Sequence, residues 1–323
     1  MNYSGAPVRQ AALSGAFLLA VGWLLAGCTN EDIKACTQTA MPDLALTACN
    51  RLIDAGGTKG FELHLAYLNR GNAYLAKGDP DRATADFSRT IELKPGFADG
   101  FNNRCIAERQ MRDFTAALAD CNKALSLQPK YALAYYNRGQ VYAEQRDWEH
   151  ALADLDQSVA LNSTYAWAYL ARGYVFEQQG KLDTAQQDYQ TAIKLKPDFS
   201  LAYSNLGNLK MRTNFPEDGF AYLNKALELD PANAVALNNR CVFHDKKGAY
   251  DLALADCDRA IQLNPGAIES YDSRGDVHAH RRDYAKALAD YRIAKELAAT
   301  DPALDVVETA KIAQLEAEMA KGK

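Results

Sequence analysis

Aromatic or leucine side chains recur at Tyr67, Phe101, Tyr135, Tyr169, Tyr203, Leu237 and Tyr271, a spacing of 34 with no insertion. Four residues after each stands a small side chain, at Gly71, Cys105, Gly139, Gly173, Gly207, Cys241 and Gly275. Twelve further on come Ala83, Ala117, Ala151, Ala185, Gly219, Ala253 and Ala287. Proline closes the unit at Pro95, Pro129, Pro197, Pro231 and Pro265, with Ser163 and Ala299 in the two other places. A strict period of this length marks a stacked array of one supersecondary unit. After it, residues 302–321 read as one more helix with Leu304, Val307, Ile312, Leu315 and Met319 on a broad face. Glu308 and Lys311 interrupt that face, so the helix is expected to be a solvated cap. Before the array, residues 30–63 read as a degenerate half-size repeat, its Ala45-Leu46-Thr47-Ala48-Cys49 resembling Ala117 to Cys121.

The amino-terminal pattern differs. Ala11 to Leu25 is almost continuously apolar, and residues 1–27 carry one charged side chain, Arg9. Fifteen residues is short for a transmembrane helix, which needs about 20, and suits the core of a signal peptide. The run ends in Leu25-Ala26-Gly27-Cys28, followed by polar Thr29-Asn30-Glu31-Asp32.

The repeat resembles the tetratricopeptide repeat (TPR) family, which places an aromatic, a small residue, Ala, an aromatic and Pro at fixed offsets in 34 residues. The resemblance implies an all-α, right-handed α-solenoid of seven helical hairpins: 64–97, 98–131, 132–165, 166–199, 200–233, 234–267 and 268–301. An N-terminal hairpin in 28–63 precedes this array and a capping helix in 302–323 follows it. Each unit would be two amphipathic helices that approach closely at the small registers, with Pro stopping the second helix. One pair cannot bury its face alone, so stacking supplies the core. The segment ending at Cys28 is similar to the lipobox of bacterial lipoproteins. That resemblance implies a signal peptide over 1–27, palmitate-type acylation at Cys28, and membrane attachment facing the periplasm. Thr29 rather than an acid after the cysteine favours the outer membrane.

In antiparallel helices joined by a tight turn, facing residues share a midpoint at the turn. Cys105 with Cys121 and Cys241 with Cys257 are each 16 apart, centred on predicted turns. Cys36 and Cys49 straddle Pro42 in a shorter hairpin. Three disulfides, Cys36–Cys49, Cys105–Cys121 and Cys241–Cys257, together with the lipidated Cys28, would account for all seven cysteines. Export to an oxidising compartment permits this. A second pair of registers co-varies within the chain: Arg70/Asp86, Arg104/Asp120, Arg138/Asp154, Arg172/Asp188, Arg240/Asp256 and Arg274/Asp290. The fifth repeat loses both members, carrying Leu206 and Tyr222. The pattern predicts ion pairs tying helices together, and marks repeat five as a bend or a contact site.

Composition narrows the function. The chain has 323 residues, 48% apolar and 24% charged, with a formal net charge of −5. These values disfavour disordered, collagen-like and polytopic membrane classes and a broad nucleic-acid footprint. There is no Walker loop, HExxH, GxSxG or dinucleotide fingerprint. The cysteine spacing also lacks CxxC. No catalysis, cofactor or metal is therefore expected.

The TPR resemblance implies a concave groove lined by the first helix of each unit, with partner-contacting residues Asn102, Arg109, Tyr136, Gln140, Trp167, Leu170, Tyr174 and Arg212. The lysine of the carboxylate-clamping TPR subfamily is missing, its register holding Leu65, Asp99, Leu133, Trp167, Leu201, Val235 and Glu269. The expected function is a lipid-anchored scaffold binding envelope proteins or peptides. The alternative is a soluble periplasmic protein capturing peptides or unfolded exported chains.

Overall fold

The computed structural model describes residues 29–38, 40–57, 61–213, 215–298 and 302–321, the side chains of 302–304 and 321 excepted. The segment 1–27 and Cys28 lie outside them. The described residues hold 17 α-helices and no strand, and the chain divides into two units that meet in sequence between Ser163 and Thr164.

The first unit contains α1 (Asn30–Cys36), α2 (Pro42–Asp54), α3 (Leu63–Ala76), α4 (Pro80–Leu93), α5 (Ala98–Gln110), α6 (Phe114–Leu127), α7 (Ala132–Glu144) and α8 (Trp148–Leu161). The second contains α9 (Ala166–Gln178), α10 (Leu182–Leu195), α11 (Ser200–Arg212), α12 (Pro216–Leu229), α13 (Ala234–Lys246), α14 (Tyr250–Leu263), α15 (Ile268–His280), α16 (Tyr284–Ala298) and α17 (Pro302–Lys321). In each unit successive helices pair as hairpins, and each hairpin packs on the next. This is the all-α solenoid arrangement that the period predicts.

Local chemistry sets the hairpin ends. Asp79, Asp113 and Asp147 cap α4, α6 and α8 by accepting backbone N–H bonds from Arg82, Ala116 and His150. The residue before each cap is left-handed: Gly78 at φ 74°, but Arg112 at 63° and Arg146 at 60°. At the other end, Lys94, Gln128, Lys196, Asp230 and Asn264 leave the helix with φ between −144° and −135°. A following proline forces this extended conformation. Asn162 adopts the same geometry, φ −143°, before Ser163, so a proline is not required for it.

The core runs through the middle of each hairpin. Phe87 and Leu155 in the first unit, and Tyr189 and Leu223 in the second, are fully buried. Each lies under a glycine of the facing helix. A Cβ on Gly71 would fall 2.5 Å from the Phe87 ring, so that register has no room for one.

The capping helix departs from expectation. Glu308, expected in solvent, is 3% exposed, and Lys311 bonds to Asp272 and Asp276. Val307, expected on the packed face, is 48% exposed. The face interrupted by Glu308 and Lys311 is packed rather than solvated, with Ile312 and Leu315 beside them, and α15 supplies aspartates that bond the ammonium.

Candidate partner-binding groove

The first helices of the repeats are joined by polar side chains. In the first unit Asn137 Nδ2 donates to Asn102 Oδ1 at 2.8 Å, Asn102 Nδ2 to Asn103 Oδ1 at 3.0 Å, and Asn103 Nδ2 to Asn72 Oδ1 at 2.9 Å. Arg109 donates to Gln140 Oε1 at 3.3 Å and pairs with Glu144. In the second unit Arg212 Nη1 donates to Glu177 Oε1 at 2.6 Å, while Tyr189 donates its hydroxyl to Glu177 Oε2 at 2.8 Å. Burial raises the Glu177 carboxyl above its ordinary range, and these partners oppose that shift. Asp245 meets His280 Nδ1 at 2.9 Å.

Arg109–Glu144, Glu177–Arg212 and Asp245–His280 each span 35 residues and use the same two registers of consecutive repeats. Sequence reading missed these cross-repeat pairs. Their signal was opposite charge four residues after one small register and five after the next.

Two expected contact residues are not available. Asn102 is fully buried and spent on the asparagine ladder, and Leu170 is 2% exposed in a core with Ala185, Tyr189, Ala202 and Leu206. Their register points at the neighbouring first helix, so stacking covers it. Arg109 is mostly covered, whereas Tyr136, Gln140 and Tyr174 are half-buried.

Trp167 is 39% exposed, its ring edge-on to Phe199 with centroids 4.5 Å apart. Lys196 Nζ lies 5.7 Å from the Trp167 centroid and 4.9 Å from that of Phe199. Arg212 keeps 56% of its side chain in solvent. A ring-packed aromatic with a lysine beside it is the composition of an interface anchor.

The frame behind these residues is held covalently and ionically. Cys36 and Cys49 are disulfide-bonded, as are Cys105 with Cys121 and Cys241 with Cys257, at Cα separations of 4.8, 5.5 and 5.5 Å. All six Arg–Asp couples lie within their own hairpins as two-pronged pairs, for example Arg240 Nε and Nη2 at 2.7 Å from the Asp256 oxygens. Arg70–Asp86, Arg104–Asp120, Arg138–Asp154, Arg172–Asp188 and Arg274–Asp290 repeat that geometry. The remaining guanidinium nitrogen reaches back to the preceding hairpin: Arg104 to Ser88 at 3.0 Å, Arg240 to Asn224 at 2.9 Å, and Arg274 to Asp258 at 2.6 Å. In repeat five, fully buried Leu206 and the ring pair Tyr203–Tyr222, 6.3 Å apart, fill these registers with apolar surface.

Tetratricopeptide repeat models match residues 64–97, 132–165, 200–233 and 234–266, and a TPR repeat model matches 107–146 and 176–214. Together these matches cover more than half of the chain. The chain belongs to the tetratricopeptide repeat family. TPR proteins are generally protein-interaction scaffolds. No curated protein matches this TPR chain.

Among solved structures, the APC/C hetero-tetramer Cut9-Hcn1 is similar at TM-score 0.69 and 14% identity, over 86% of this chain and 53% of that one. The chain thus spans about half the length of that relative. A tetratricopeptide repeat protein from Parabacteroides merdae is similar at TM-score 0.60 and 19% identity, over 76% of this chain and 97% of that one. Pseudomonas aeruginosa pilF gives TM-score 0.55 and 20% identity, over 64% and 94%. At these identities the likeness concerns the TPR fold.

Among the described residues, no helix is long and apolar enough to cross a membrane. None of their His, Cys, Asp and Glu side chains form a group of three or more placed for a metal.

Proposed function

We propose that this TPR chain is a non-enzymatic scaffold of a bacterial cell envelope, anchored by lipid on Cys28 and binding protein partners through the faces of its first helices. The observation that carries the binding reading is Trp167, exposed yet held by Phe199 and Lys196. A side chain already fixed in place loses little conformational freedom on binding, which favours it as an anchor. The envelope reading rests on the apolar run before Leu25-Ala26-Gly27-Cys28 and on three disulfides, which persist in oxidising compartments.

Labelling cells with radioactive fatty acid tests the anchor. Incorporation lost in Cys28→Ala supports it, and a labelled Cys28→Ala chain contradicts it. Crosslinked pull-down with Trp167→Ala/Tyr174→Ala tests the binding face. Partners retained in full by the double variant contradict the assignment.

A further inference from the structure

Unassigned chemistry lies beneath α17. Glu308 is 3% exposed, and its Oε2 has no hydrogen-bond partner. It faces the carboxylates of Asp272 and Asp276 on α15, with Glu269 beside Asp272. The neighbouring cation is Lys311 on α17, whose ammonium bonds Asp272 and lies 3.2 and 3.3 Å from the Asp276 oxygens. From α16, Tyr291 donates its hydroxyl to Asp276 at 2.7 Å, and its ring centroid lies 5.4 Å from the Lys311 Nζ. The aspartates therefore take up the ammonium, and the pull of the Lys311 charge on Glu308 is smaller than the push of burial and of Asp272. An ionised carboxylate in such a place is costly, so burial favours the protonated form.

We propose that Glu308 is a proton-operated latch: α17 stays docked on the last hairpin while this carboxyl holds a proton, and loosens when it ionises. Burial, and next the Asp272 charge, push Glu308 up to about 7 from an ordinary value of 4.5. Burial also raises Asp272. Its bond to Lys311 opposes that shift, so it is the protonated form of Glu308 that favours docking. The docking gained is complete below about pH 4.5, declines as pH rises, and is gone above about 7. The difference for Glu308 corresponds to at most about a 300-fold change in the docking equilibrium. Release would uncover the seam where Leu315 and Ile312 pack on Ala287 and Tyr291. The latch concerns the terminal helix alone and does not rest on the groove reading.

Amide hydrogen exchange by mass spectrometry on the full chain, between pH 5 and 8, tests it. Protection in 305–321 is read relative to intrinsic exchange at each pH and to α16. The expected result is a fall in α17 protection of up to about 300-fold with rising pH, and a flat profile in Glu308→Gln. Asp272→Asn, which removes the first neighbouring charge, should shrink the fall. Equal wild-type protection across the range, a Glu308→Gln profile with the wild-type slope, or an unchanged slope in Asp272→Asn would overturn the proposal.

Discussion

Arg138 grips Asp154 with two parallel bonds, Nε to Oδ2 and Nη2 to Oδ1, both 2.7 Å, while its Nη1 reaches Asn122 of the preceding hairpin at 2.5 Å. One guanidinium thus fixes the angle within a hairpin and couples it to its neighbour. Arg138→Ala leaves a nearly buried Asp154 uncompensated and is expected to cost about 2–4 kcal/mol. Arg138→Leu with Asp154→Tyr copies the Leu206/Tyr222 solution of repeat five and should stay within about 1 kcal/mol of wild type, since apolar replacements of buried pairs are often neutral. Urea midpoints of the two variants, read against wild type, check both expectations.

Each disulfide joins cysteines 13 or 16 positions apart across one hairpin. Reduction should lower stability by roughly 2–4 kcal/mol per hairpin through the unfolded chain's regained freedom. Denaturant curves with and without reductant measure this. Alkylation of the denatured, unreduced mature protein should find no more than one free thiol.

Arg146 holds a left-handed backbone at φ 60° that glycine adopts without steric cost. Arg146→Gly is expected to stabilise the first unit by about 0.5–1 kcal/mol. Arg89→Gly, in the interior of α4, should destabilise by about 1 kcal/mol. Thermal unfolding separates the two signs.

Glu108 is buried beside Asp120, and burial first, then that charge, pushes its carboxyl up to about 7. A carboxyl raised on folding stabilises most when protonated. That contribution is full below about pH 4.5 and is lost as pH rises through about 7. The first unit should therefore become easier to unfold between pH 5 and 8, and Glu108→Gln should flatten the trend. Urea midpoints across that range report the outcome.

Side chains facing each other across one tight turn were legible because hairpin geometry converts a separation of 16 into contact, as at Cys105 with Cys121 and Arg138 with Asp154. Depth was not legible. Asn102 and Leu170 occupy helix faces that a single repeat would leave open, and the neighbouring first helix covers them. Trp167 could be named from its register, and Phe199 continues an aromatic register through Phe97, Tyr131 and Tyr165, but that these two rings meet, with Lys196 beside them, is set by packing at the hairpin junction. Glu308 misled for a related reason. A charged residue is read as solvated unless the carboxylates packed against it, here Asp272 and Asp276, are known.

Binding through the first-helix face is tested most directly by site-specific photocrosslinking in cells. A photoreactive phenylalanine analogue would replace Trp167, Tyr174 or Gln140 in turn, with exposed Glu92 and Lys123 on second helices as controls. The account predicts discrete adducts from the first three positions that unlabelled wild-type chain competes away. Equal adducts from Glu92 and Lys123, or none from Trp167 while the controls react, would contradict it.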